Sequence, residues 1–160
     1  MKAHVCSRRC CVTLLLAAPV ALAVPAKAAK AAAETDVIPA GALIQPGELA
    51  GVLNNAPPTI LQVGFSKLYE QAHIPGSIYA GPGRSADGLA NLKAHAETLP
   101  RNAPLVIYCG CCPWNRCPNM GAAWTALKEM GFTRVKALHI PDNFGQDWAD
   151  KGYPVARGAA

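Results

Sequence analysis

No glycine-rich phosphate loop, no paired carboxylates and no internal repeat occur in this 160-residue chain. The first absence argues against a backbone cradle for nucleotide phosphates. The second argues against acid–base catalysis by two acids. No apolar run is long enough for a comfortable membrane span: residues 11–24 are apolar but short and rich in alanine and proline. Positive charge is scarcer than it looks. The formal net charge is +5, from 15 Lys and Arg against 10 Asp and Glu, but Lys2, Arg8, Arg9 and Lys27 all lie at the front. Without those four, eleven basic residues face ten acidic ones and the net charge falls to about +1, which carries no nucleic-acid signal.

The front of the chain has the layout of an export signal. Lys2, Arg8 and Arg9 form a positive region ahead of the apolar run, and small residues follow at Ala26-Lys27-Ala28 or Ala21-Leu22-Ala23. Ser7-Arg8-Arg9 also suits the twin-arginine route, and an uncleaved membrane anchor is the alternative. Residues 1–28 are therefore expected to be a signal peptide, cut near Ala28 (or Ala23). The mature protein would be periplasmic or secreted, without a stable membrane span. Residues 29–42 read as a flexible lead-in because they are Ala-rich and lack a large apolar face. Residues 43–157 read as one domain, long enough for a single sizeable core.

Short apolar runs alternate with helical patterns from Leu43 onward. Helices are expected at residues 46–53, 89–99, 120–130 and 143–151, with a helical turn at 67–72. Strands are expected at residues 59–63, 77–80, 105–108 and 134–138. Such alternation predicts an α/β fold: a mostly parallel central sheet with helices on both faces. Ligands of such sheets gather at the carboxyl ends of the strands.

Of seven cysteines, Cys6, Cys10 and Cys11 would leave with the signal. The remaining four, Cys109, Cys111, Cys112 and Cys117, crowd together directly after Leu105-Val106-Ile107-Tyr108. A thiol at the mouth of a buried strand, followed by a loop and a helix, is placed to become a reactive thiolate: the helix N-terminus offers partial positive charge and unpaired N–H groups. Cys109 is the expected nucleophile. The N–H groups from Gly110 to Trp114 would form a nest for an anion, and Arg116, the loop's only formal cation, would hold an anionic donor.

Several segments together resemble the rhodanese-like (sulfurtransferase) family. They are Ala72-His73-Ile74-Pro75-Gly76-Ser77-Ile78, the strand ending in Cys109, Ala126-Leu127-Lys128-Glu129-Met130-Gly131-Phe132, and Phe144-Gly145-Gln146-Asp147-Trp148 followed by Gly152-Tyr153-Pro154-Val155. The resemblance implies sulfur transfer through a Cys109 persulfide, from a small sulfane-sulfur donor to a thiol acceptor, with no required cofactor and no nucleic acid. It departs from the family in two places. The stretch from Cys109 to Asn119 is longer and holds three extra thiols. Gln62 and Phe65 stand where many members carry an Asp…Arg pair.

Three roles fit the extra thiols. Cys111, Cys112 or Cys117 would resolve a persulfide or sulfenate on Cys109. Or the set would bind a soft metal, Cu(I) or Zn, with Cys109 and Cys112 at half-site spacing. Or a structural disulfide, Cys112–Cys117 or a similar pair, would pin the long loop, which is compatible with catalysis by Cys109; a catalytically silent fold with the loop closed by disulfides is the further alternative. Elsewhere, His73 is expected to fix its turn, Trp124 and Trp148 to be core, His95 to be exposed, and Asp142 and Asp147 to cap and lead the last helix.

Overall fold

The apolar run ahead of the cysteines is the central strand of a five-stranded sheet. The computed structural model describes residues 34–159; the segment expected to be an export signal lies outside them. In chain order the elements are β1 (Leu43–Ile44), α1 (Pro46–Val52), β2 (Thr59–Gln62), α2 (Ser66–Gln71), β3 (Ile78–Tyr79), α3 (Ala86–Glu97), β4 (Leu105–Tyr108), α4 (Pro118–Glu129), β5 (Val135–Leu138) and α5 (Phe144–Asp147). The sheet order is β1-β5-β4-β2-β3, and every paired strand is parallel. The expected fold class holds. Leu61 sits opposite Ile107 and Gln62 opposite Tyr108, so β2 and β4 end level at one edge of the sheet.

Period-2 alternation sorts the core into two layers. Leu61, Val63, Leu105, Ile107, Cys109 and Ala137 pack with Leu92 of α3 and with Met120, Ala123 and Leu127 of α4. Ile60, Val106, Tyr108 and Leu138 face the other way, onto Leu49 of α1 and Trp148. Both sheet faces are buried, as parallel strands require. Among the described residues no helix is long and apolar enough to cross a membrane.

Some boundaries differ from expectation for local reasons. Strand β1 was not anticipated, because two residues carry no readable period; pairing with β5 creates it. Helix α3 starts earlier than residue 89, since the Ser85 hydroxyl caps it by accepting from the Gly88 N–H at 2.9 Å. The last expected helix splits at Trp148 into α5 and a 3₁₀ turn, Ala149–Lys151. Its cap is Asn143, whose side chain accepts from the Gln146 N–H at 3.0 Å. Asp147 reaches back to the N–H groups of Asp142 and Asn143, and Asp142 caps nothing by its side chain. His95 is half-buried rather than exposed.

The lead-in is the larger correction. From residue 34 the described part packs onto the domain. Ile38 enters the α3/α4 core, Thr35 is buried, and its hydroxyl donates to the Trp114 carbonyl at 3.2 Å. The Glu34 carbonyl comes so close to Gly121 in α4 that a Cβ there would lie 2.0 Å from its oxygen. A few apolar and hydroxyl side chains fix this segment without the amphipathic face that sequence reading looks for.

Candidate active site: a cluster of four thiols

Cys109 follows β4 and turns its side chain into the α3/α4 layer, where it is 3% exposed. The chain then reverses at Gly110, which has φ +70° and packs against Phe144: a Cβ would come 2.7 Å from that of Phe144. Only glycine takes this conformation and this contact without strain. The Phe144 N–H donates to the Gly110 carbonyl at 3.1 Å, and the Trp114 N–H to the Pro141 carbonyl at 2.9 Å. The loop is thus stitched to the β5–α5 connection. It ends in a 3₁₀ turn, Trp114–Arg116, and at Cys117, the N-cap of α4, with Pro118 at the first helical position.

This path gathers the sulfurs. Cys109 Sγ lies 2.8 Å from Cys111 Sγ, and Cys111 Sγ lies 3.3 Å from Cys112 Sγ. The Sγ atoms of Cys109, Cys111 and Cys117 all lie within 4.8 Å of one another. All four are free thiols. The Cys112–Cys117 disulfide weighed from the sequence is not formed, and the compact trio replaces Cys112 of the Cys109/Cys112 half-site with Cys111 and Cys117. Cys112 instead reaches the Arg116 carbonyl, at 3.8 Å.

Asn119, not anticipated, is the remaining member. It sits in the first turn of α4, 3% exposed, and its Nδ2 donates to Cys109 Sγ at 3.5 Å and Cys111 Sγ at 3.6 Å. Its Oδ1 accepts from the Arg84 N–H at 3.1 Å, which fixes the amide's direction. Its place after Pro118 marks a helix start and no more; Arg84 and the two sulfurs reach it only through the fold.

Negative charge in the cluster settles on Cys111. The hydrogen bond from Cys109, then one from Cys117, with lesser ones from Cys112 and Asn119, pulls its pKa far below the usual thiol value against the cost of burial. Cys109 moves the opposite way, to about 12, chiefly because it donates to Cys111. Cys112 is raised first by burial, and Cys117 by its hydrogen bonds to Cys109 and Cys111; the Arg116 charge only partly opposes the rise at Cys112. The two contacting sulfurs thus move in opposite directions: ionisation is favoured at half-buried Cys111 and disfavoured at Cys109.

The other expected residues fall as follows. Arg116 is exposed at the loop's end. Trp114 does not offer its N–H to an anion, since Pro141 takes it. Its ring stands edge-on to His139 at 5.1 Å, and the residue helps line a small void beside Cys109 and Cys117. His73 fixes its turn as anticipated: it stacks on Tyr69 at 3.9 Å and its Nδ1 meets the Tyr69 carbonyl at 2.7 Å. Gln62 accepts from the Gly64 N–H, and exposed Phe65 borders the site. Two clefts reach the cluster. One, of about 320 Å³, runs past Gln62, Leu68 and Phe144 to Cys109 and Cys111. The other, of about 510 Å³, runs past Phe65, Arg84 and Asn119 to Cys111 and Cys112.

This strand–cysteine–loop–helix arrangement is matched over residues 45–139 by the rhodanese-like domain family. The chain belongs to that family. Its fold resembles the rhodanese-like domain of an Anabaena protein, with a TM-score of 0.56 at 20% identity over 72% of this chain and 79% of that one. A thiosulfate sulfurtransferase from Pseudomonas aeruginosa matches with a TM-score of 0.54 at 24% identity, over 72% of this chain and 19% of that one. An anaerobic ergothioneine biosynthesis enzyme from Chlorobium limicola, in complex with trimethyl histidine, matches with a TM-score of 0.55 at 19% identity, over 72% and 28%. At these identities the structures establish the rhodanese fold alone. No curated protein matches the sequence.

Proposed function

We propose that this rhodanese-like chain is an exported sulfurtransferase that carries sulfane sulfur as a persulfide on Cys109. The observation that carries the reading is the 2.8 Å contact from Cys109 to Cys111 at the carboxyl end of the central strand. Moving one proton across that contact converts Cys109–SH and the Cys111 thiolate into a Cys109 thiolate and Cys111–SH. Cys109 then attacks the outer sulfur of a donor such as thiosulfate. The donor's S–S bond breaks, sulfite leaves with the electron pair, and a Cys109 persulfide remains. A thiol acceptor removes the outer sulfur and returns Cys109 to its starting state. Arg116, at the exposed edge, offers a charge for an anionic donor.

The test is sulfite released by reduced protein on incubation with thiosulfate, which reports donor cleavage whatever becomes of the transferred sulfur. Wild type should release close to one sulfite per chain, and Cys109→Ser should drop to background. Equal release by the two proteins would remove Cys109 from the reaction. The export component is read from the mass of protein in the periplasmic fraction, which should lack residues up to Ala28 or Ala23. Replacing Arg8 and Arg9 by lysine should block transport if the twin-arginine route is used.

A second reading is favoured by the mutual approach of the Cys109, Cys111 and Cys117 sulfurs. Thiolate donors at this spacing suit a soft cation, Cu(I) or Zn. Elemental analysis of anaerobically purified protein tests it. One equivalent of metal, lost in Cys117→Ser but kept in Cys112→Ser, supports it; metal-free protein refutes it.

A further inference from the structure

The three extra thiols are unequal in their relation to Cys109. Cys111 has its sulfur 2.8 Å from that of Cys109. Cys112 contacts Cys111 and a backbone carbonyl instead. Cys117 is 2% exposed, against the half-exposed Cys111, which borders both clefts. A group that both touches the sulfur carrier and faces the openings is placed to act on what the carrier holds.

We propose that Cys111 resolves the Cys109 persulfide, so that the protein reduces sulfane sulfur to hydrosulfide and closes a Cys109–Cys111 disulfide, which an external dithiol reopens. This rests on the reading of Cys109 as sulfur carrier. After donor attack, Cys109 bears an S–S⁻ group and Cys111 a thiol. The Cys111 sulfur attacks Cys109 Sγ, the inner sulfur. The Sγ–Sγ bond forms, the bond to the outer sulfur breaks, and the outer sulfur leaves with the electron pair and the Cys111 proton, as HS⁻. The two cysteines have been oxidised and the sulfane sulfur reduced. A dithiol then reduces the bond, becomes a disulfide, and restores both thiols. The sum for thiosulfate is sulfite, hydrosulfide and oxidised dithiol.

Three features suit the step. Cysteines separated by one residue have Cα atoms within reach of a disulfide, and the Gly110 reversal, packed on Phe144, turns both side chains to one side. The amide of Asn119 donates to both sulfurs, so it meets negative charge on either as electrons pass between them. A ring closed through a single residue is strained, and strained disulfides are the readily reduced ones. A dithiol reaches the bond through Cys111, the more exposed partner.

The experiment is a single turnover of fully reduced protein with thiosulfate, under anaerobic conditions and without added thiol. Sulfite and hydrosulfide are quantified, and the cysteines are mapped by mass spectrometry after trapping. Wild type should give equal sulfite and hydrosulfide, about one per chain, and a Cys109–Cys111 disulfide. Cys111→Ser should give sulfite without hydrosulfide and keep its persulfide; Cys112→Ser should still release hydrosulfide and close the Cys109–Cys111 bond. The inference is overturned if wild type retains the persulfide, if Cys111→Ser still releases hydrosulfide, or if the bond maps to Cys112 or Cys117. No sulfite from either wild type or Cys111→Ser would overturn the carrier reading and this inference with it.

Discussion

Tyr108 and Cys109 are consecutive, yet they feed two polar networks of opposite character. The Tyr108 side chain turns to the α1 face. Its hydroxyl accepts from the Ile74 N–H at 3.1 Å and meets the Ser77 hydroxyl at 3.1 Å, while the Tyr69 hydroxyl donates to the Ser77 carbonyl at 2.5 Å. This network is built of oxygen and nitrogen, is buried, and keeps the Tyr108 hydroxyl protonated well above the ordinary phenol range through desolvation. The Cys109 side chain turns to the α4 face, into sulfur contacts that hold one mobile charge beside two open clefts. The first network is satisfied and inert; the second is crowded and ionised. The lesson is that pleating lets one strand end anchor a fold and present chemistry at the same point, because adjacent residues never share a face.

The contrast breaks most visibly at Tyr108. Tyr108→Phe leaves the Ile74 N–H without its partner in a buried site, so unfolding free energy should fall by about 1–3 kcal/mol. Sulfite released from thiosulfate per folded chain should stay at the wild-type level. Denaturant melts combined with sulfite release check both halves; a variant that is stable but releases no sulfite would join the two networks after all.

Cys111 sharpens the comparison from the other side. Because its folded-state pKa lies below that of an ordinary thiol, it stays ionised as pH falls through the range in which free cysteine protonates. Alkylation of native protein at mildly acidic pH should therefore label Cys111 before the other three. The profile should move to higher pH in Cys109→Ala, which loses the strongest hydrogen bond, and less in Asn119→Ala. Peptide mapping after timed labelling reads the order. Preferential labelling of Cys112 would place the charge elsewhere.

The smallest effect belongs to Arg116. It is exposed, and exposed ion pairs contribute about 0.2–1 kcal/mol, which corresponds to at most about a fivefold change. Arg116→Gln should raise KM for thiosulfate within that range, more at low salt than at high, and leave kcat near wild type.

Strand β4, its handover to Cys109 and the α/β order were legible because a fully buried strand must be written in apolar residues, here Leu105 to Tyr108. The His73 turn was legible for a different reason: Pro75 and Gly76 restrict the backbone whatever surrounds them. What stayed hidden depends on distant partners. Spacing along the loop does not say which thiol is deep, so Cys111 and Cys117 could not be told apart. Asn119 is an ordinary helix-start residue until Arg84 and two sulfurs are brought to it. Thr35 and Ile38 carry no period and are ordered only by contacts made far along the chain.

That early segment has a consequence for how the protein would age. Thr35 grips the carbonyl of Trp114, 79 residues downstream, at the back of the loop. A protease trimming the chain from its front would spare every strand of the sheet, yet once past Thr35 it would unlatch one wall of the sulfur chamber. A clipped molecule would then remain folded by bulk measures while its reactive corner loosened.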